Sequence, residues 1–187
     1  MLKENEELNR FLEAPETYGV DAVKRIDTHA SHVFLAGERA YKLKRPVKYP
    51  FMDFSTLEKR EAAARQELEL NRRTAPELYL HIAAVEQIGS TFRIVEDGAP
   101  GPNVIDWIVV MRRFEQSALL SSIADAGELE DAHVDALRDA IVALHAGTSS
   151  EDVDWVASVK WVVEDNIDEL RTYAEIFDDR STIQRAS

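Results

Sequence analysis

Residues 55–73, STLEKREAAARQELELNRR, narrow the fold more than any other segment. Their alanine, glutamate and arginine content gives high helix propensity. Ser55 and Glu58 have the Ser-x-x-Glu spacing of a capping box, which predicts where the helix starts. Leu57, Ala64, Leu68 and Asn71 mark its inner stripe. Strand-like segments stand on both sides of this helix, and only helical patterns come after the second group. A sheet-rich first part followed by a helical second part argues for an α+β chain in two lobes, with the boundary near residues 114–117.

Before the helix, residues 4–14 place Leu8, Phe11 and Leu12 on one stripe and end near Pro15, which predicts a short first helix. VKRIDTHAS, HVFLAG and RAYKLK then read as strands, with a turn at Gly37. Pro46 and Pro50 break up this strand pattern after Lys44 and force extended backbone before them. After the helix, LYLHIAAVEQI and STFRIVED read as strands and EDGAPGPN as a turn-rich connection. VIDWIVVMRRF (104–114) is an almost unbroken apolar run through Met111, the pattern of a buried strand. Two helical segments close the pattern. Residues 128–147 align Val134, Leu137, Ile141 and Leu144 and end at Gly147, a C-cap, and residues 153–177 form a long helix or helix pair. The last ten residues, DDRSTIQRAS, have no pattern and are expected to fray.

The third strand holds an oddity. Strand side chains alternate faces, so Ala40, Lys42 and Lys44 share one face, with Tyr41 and Leu43 on the other. Two ammonium groups side by side either coat a solvated edge or meet something anionic. The chain as a whole is acidic, with a formal net charge of −13. Yet residues 39–48 hold Arg39, Lys42, Lys44, Arg45 and Lys48 and no acid. Residues 124–154 carry nine acids against Arg138 alone. Such a balance argues against nucleic acid, which needs a broad basic surface. A local basic site on an acidic body suits a small anionic ligand better than a polyanion. The chain has no cysteine, so disulfides and cysteine-based metal sites or nucleophiles are excluded. That fits a reducing compartment, and a cytoplasmic location is expected. The charged, amphipathic start MLKENEELNRFLEA is not a secretory signal, and no apolar run has the length of a membrane span.

Taken together, THASHVFLAGERAYKLKRPVKYPFMDFSTLEKRE, ELELNRRTAPELYL and VVMRRFEQSALL resemble the small lobe of the protein-kinase-like fold in its aminoglycoside phosphotransferase branch. The likeness is to the bacterial aminoglycoside phosphotransferase-family group, in which a kinase-like domain is often followed by a P-loop kinase domain. It spans roughly residues 25–120. The resemblance implies an antiparallel sheet with one helix as a nucleotide-binding small lobe over residues 1–115. Residues 116–187 would be the first helices of an incomplete helical lobe. ATP and Mg2+ are the implied cofactors, and a small molecule is the implied acceptor, of a kind the sequence does not identify.

The resemblance also assigns roles. A strand lysine contacts the α- and β-phosphates and is held by a carboxylate from the next helix. Lys42 is the first choice for that lysine and Lys44 the alternate. The plain alternative is that both line a solvated edge strand. For the carboxylate, Glu58, Glu61, Glu67 and Glu69 are candidates, and QELELNRR points to Glu67; exposed helix glutamates also need no partner at all. The phosphate-covering turn would be THAS, where Thr28 and Ser31 offer hydroxyls. Without glycines the backbone approaches phosphates less freely, and THAS reads rather as an ordinary hairpin turn. Backbone groups around Met111, Arg113 and Phe114 would form the hinge that pairs with adenine. His29 and His32, with no acid cluster nearby, are poor evidence for a metal.

One part of the pattern does not occur. The family's His-Gly-Asp, followed five residues later by Asn, and the Asp that holds Mg2+ are not found through Ser187. His133-Val134-Asp135 lies inside an amphipathic helix without the downstream Asn, and there is no Gly-x-x-x-x-Gly-Lys-Ser/Thr. The sequence therefore looks like an N-terminal part of such a kinase, nucleotide-binding but without activity by itself. The other expectation is a non-catalytic module that binds nucleotide or a protein, with self-association through an exposed helical face.

Overall fold

The protein divides into two compact units, Met1–Gly147 and Thr148–Ser187. The structure, a computed structural model, describes residues 5–96, 99–147 and 154–174. The chain is mixed α+β. Strands β1 (Val23–Asp27), β2 (Ser31–Ala36), β3 (Arg39–Lys44), β6 (Tyr79–Ile88), β7 (Thr91–Val95) and β8 (Val104–Arg112) form a six-stranded sheet. Their order is β1-β2-β3-β8-β6-β7, and every pair is antiparallel. Strands β4 (Lys48–Tyr49) and β5 (Met52–Asp53) form a separate small hairpin. Helices α1 (Glu6–Glu13), α2 (Leu57–Arg72), α3 (Leu120–Asp125) and α4 (Asp131–Ala146) belong to the first unit, and α5 (Trp155–Ala174) to the second.

Hairpins explain most of the order. β1, β2 and β3 are consecutive in sequence and in space. Gly37, at φ +55°, opens the tight turn between β2 and β3, a conformation that costs glycine least. The last strand, β8, inserts between β3 and β6 and so becomes the sheet's centre. Its apolar run is thereby explained, because it is covered on both faces. Ile108, Val109 and Val110 are each fully buried.

The two faces carry different cores. On one, Phe34, Tyr41, Leu43, Ala83, Val85, Ile108 and Val110 pack beneath Leu8 and Leu12 of α1. On the other, Ala84, Trp107 and Val109 pack against Ala64 of α2. Burying one such Val, Leu, Ile or Phe side chain is worth roughly 1.5–3 kcal/mol. The small Ala64 lets α2 lie close to β8. Arg65 adds a guanidinium 5.0 Å from the centre of the Trp107 ring.

Several boundaries differ from the sequence reading. The cap of α2 is Thr56, not Ser55: Thr56 has extended backbone and its hydroxyl accepts the Lys59 N–H at 3.3 Å. Ser55 instead donates its own N–H to Asp53 at 3.0 Å, which ties the helix start to β5. Pro50 sits in the tip between β4 and β5, and the backbone just before it, Lys48–Tyr49, is extended as a following proline requires. Helix α4 starts at a reciprocal cap between Glu130 and His133. Gly147 ends it with a negative φ of −85°, so no left-handed turn is used there. Residues 97–98 of the turn-rich connection and the terminal segment expected to fray lie outside the described residues. Among the described residues no helix is long and apolar enough to cross a membrane.

Candidate functional site

The β3 register decides where the two lysines go. Tyr41 pairs with Val110 and Leu43 with Ile108, which send both side chains into the α1-side core. Lys42 pairs with Val109, whose side chain belongs to the α2-side core. Lys42 and Lys44 thus face α2, and both reach the same carboxylate. Lys42 Nζ donates to Glu67 Oε1 at 2.7 Å, and Lys44 Nζ donates to Glu67 Oε2 at 2.7 Å. The structure brings together the strand lysines and one glutamate of the four candidates. Glu58 is exposed on the first turn, and Glu61 pairs with Arg65 on the helix surface.

Position on α2 explains the choice of Glu67. It lies three residues after the fully buried Ala64, on the face turned to the sheet. Burial pushes the Glu67 carboxyl up, but hydrogen bonds and attraction from the two ammonium groups outweigh it and hold it below the usual carboxylate range. The Glu67 carboxyl is therefore ionised at neutral pH. Two cations share one anion, so the cluster keeps one uncancelled positive charge.

The two lysines are not equivalent. The Lys44 side chain is 7% exposed, against 28% for Lys42. Lys44 also lies 4.9 Å from the centre of the Phe54 ring, a cation–π contact. Lys42 is therefore the lysine with open access.

Behind the cluster stands an ion pair that sequence reasoning missed. Arg60 of α2 donates Nε to Asp106 of β8 at 2.8 Å, with both side chains about nine-tenths buried. Its other nitrogens donate to the carbonyls of Phe54 and Ile105, each at 3.3 Å. Burial raises the Asp106 carboxyl, and the bond from Arg60 offsets part of that rise. The pair pins the start of α2 to the start of β8 and so sets the helix against β3. The signal was present: Asp106 is the lone acid within VIDWIVVM.

The turn before β2 is a closed hairpin. Thr28 Oγ1 donates to the Ser31 carbonyl and accepts the Ser31 N–H, both at 2.9 Å. Ser31 is buried. Arg45 donates its N–H to the Ala30 carbonyl and its guanidinium to the Thr28 carbonyl, fixing the turn to the end of β3. Met111 lies in β8 opposite Ala40 of β3, on the α2 side. Arg113 lies beyond the strand and donates its N–H to the Glu38 carbonyl at 2.9 Å. Phe114 comes next, 36% exposed. His32 lies 2.7 Å from Asp27, and among the described residues no group of three or more His, Asp or Glu side chains has the arrangement of a metal site.

Comparison with known proteins gives relatives but no assigned activity. The chain is 33% identical over 153 residues to the uncharacterized protein Rv2004c of Mycobacterium tuberculosis and, equally, to the uncharacterized protein Mb2027c of Mycobacterium bovis. Each match takes in 80% of this chain and 28% of the relative, so the chain spans a little over a quarter of the length of the curated relatives it matches. No family model matches the chain, and no solved structure matches it.

Proposed function

We propose that the sheet and α2 form the nucleotide-binding small lobe of an aminoglycoside phosphotransferase-like small-molecule kinase. The observation that carries this reading is the 2.7 Å bond from Lys42, on the third strand, to Glu67, on the next long helix. In kinases a lysine on the third strand pairs the α- and β-phosphates and is held by a glutamate of the next helix. Ala40-Tyr41-Lys42 also has the Ala-x-Lys spacing of that strand.

In this reading Lys42 binds the phosphates of ATP as a compact point charge. Glu67 holds the ammonium in place, and Lys44 keeps Glu67 ionised. The strand end at Met111, Arg113 and Phe114 offers backbone groups to adenine. Among the described residues no group of three or more His, Asp or Glu side chains is placed to hold a metal ion by itself. No step is therefore routed through the metal. Phosphoryl transfer to a small-molecule acceptor is likewise proposed, with nucleotide binding as the contribution of the sheet and α2.

Titrating the protein with ATP while following its denaturant midpoint tests the reading. ATP at a hundred times its dissociation constant is expected to add ~2.7 kcal/mol of stability. Lys42→Ala is expected to remove that gain. Absence of any ATP-dependent stabilisation in the unaltered protein would overturn the proposal. A second reading, a non-catalytic module that self-associates, draws on Trp155, Val156 and Leu170 of α5, each at least 70% exposed. Dimers on size-exclusion favour it, and a compact monomer counts against it.

A further inference from the structure

A cavity of about 290 Å³ opens where β3 ends and β8 begins, between the start of α2 and helix α1. Its polar lining comes from Asn5, Asn9, His32, Lys44, Ser55, Arg60 and Asp106. Five of these seven are at least nine-tenths buried: Asn9 7%, His32 3%, Lys44 5%, Arg60 9% and Asp106 6% exposed. So dense a group of buried polar side chains around open space is a built feature. A solvated surface would leave them exposed.

We propose that this cavity binds a small oxyanion, a carboxylate or phosphate group, through Lys44, Arg60 and the Asn9 side-chain amide. Asn9 is the first reason. It stands on the buried stripe of α1 beside Leu8 and Leu12, where an apolar residue is expected. Its backbone N–H bonds the Asn5 carbonyl, but its side-chain amide makes no hydrogen bond among the described residues. The buried side-chain atoms without a partner among the described residues are His81 Nε2 and the Trp107 indole nitrogen; the Asn9 amide is not one of them, so it is open to water or to a ligand held in the cavity. Asn9 lines the cavity, so its partner belongs there.

Charge supplies the second reason. Lys42 and Lys44 share Glu67, which leaves one positive charge over, and Lys44 forms part of the cavity wall. Asp106 is the carboxylate of the wall, and its Oδ1 already accepts Arg60 Nε at 2.8 Å and the Trp107 N–H at 2.9 Å. Arg60 makes one bond from each of its three nitrogens. A guanidinium carries five N–H donors, so it retains spare ones. Lys44, Arg60 and Asn9 line the same space, and an ammonium, a guanidinium and an amide are the donor types suited to an oxyanion. Leu8 and Ile105 complete the wall with apolar surface that would accommodate a short hydrocarbon tail.

Nucleotide binding at Lys42 is not required for this site, because the readout is at Asn9. The 187-residue protein is titrated with inorganic phosphate and separately with propionate, while NMR follows the Asn9 side-chain amide and the Arg60 Nε–H. At least one anion is expected to shift both signals saturably. Tighter binding of propionate identifies a carboxylate with a tail, and tighter binding of phosphate a phosphoryl group. Asn9→Leu removes the amide and Asn9→Asp opposes the anion. Each is expected to weaken binding about tenfold or more. If neither anion moves the two signals, the cavity holds water only and the proposal fails. It fails equally if a folded Asn9 variant binds as the unaltered protein does. Failure of ATP to stabilise the protein would leave these outcomes unchanged.

Discussion

The sheet and helix α5 are built from similar apolar residues and treat them in opposite ways. In β8, Ile108, Val109 and Val110 are fully buried, with α1 over one sheet face and α2 over the other. In α5, Val156 is 78% exposed, Trp155 75%, Trp161 65% and Val159 58%. Both segments are apolar in sequence. The difference lies in the partners that each finds, and it teaches that stability and chemistry in this chain belong to different places. The sheet with its two helices holds a finished core, and the charged cluster is mounted on it. Among the described residues of its own unit, α5 has no neighbour that covers these side chains.

The largest effect that should separate the regions comes from the ion pair that fixes α2. Arg60→Ala leaves Asp106 buried without its cation, and breaking a buried pair in this way costs about 3–5 kcal/mol. Urea denaturation followed by circular dichroism should show the loss. A shift under 1 kcal/mol would mean that α2 is held by Ala64 and its apolar contacts alone. Next comes Val109→Ala in β8. It deletes two methyl groups from a fully buried site between β3 and β6, and roughly 2 kcal/mol is expected.

How much of this was legible in the sequence depends on whether the signal was local. The strand period put Lys42 and Lys44 on one face, and β3 shows it. Helix propensity found α2 to within two residues of its start. Its cap was misplaced because Ser55 and Thr56 are both good caps, and the bond from Ser55 to Asp53 decides between them. Glu67 was one of four glutamates on a helix. Its selection depends on which face of α2 meets the sheet, which is a tertiary fact. Asp106 and Asn9 were hidden for another reason. Each sits singly in an apolar pattern, and a pattern reading averages over single exceptions. The exposure of Val134, Leu137 and Ile141 was likewise unreadable, since periodicity marks an apolar face without saying what covers it.

The carboxylate shared by two lysines gives a smaller, pH-dependent effect. Glu67→Gln keeps the shape but removes the negative charge, and about 1–2 kcal/mol is expected at neutral pH. The sign with pH comes from the lowered carboxyl. Its stabilising contribution is present above the ordinary carboxylate value and is lost as pH falls through the lower folded value. The gap between the unaltered protein and Glu67→Gln should therefore shrink in acid. Asp106 works the other way: burial raises it, so its contribution declines as pH rises through the raised value. Both proteins contain Asp106, so the difference between their denaturation curves across acid pH reports Glu67. A gap that is constant across acid pH would show that the charge on Glu67 is not what holds α2 to β3.

The smallest effect is the sharpest test of the opening contrast, because it repeats a deletion already made in the sheet. Val159→Ala in α5 removes the same two methyl groups as Val109→Ala in β8. At 58% exposure those methyls are largely in water already, so little transfer free energy is lost. Alanine is also the better helix former, which gives back a few tenths of a kcal/mol. The net change in unfolding free energy should lie within about 0.5 kcal/mol of zero. Measured in dilute protein by urea denaturation, such a result makes the sheet core, and not α5, the seat of stability. Repeating the measurement at higher concentration adds information. A cost that grows with concentration would mean that Val159 is buried between copies of the chain, and that the exposed residues of α5 form an interface.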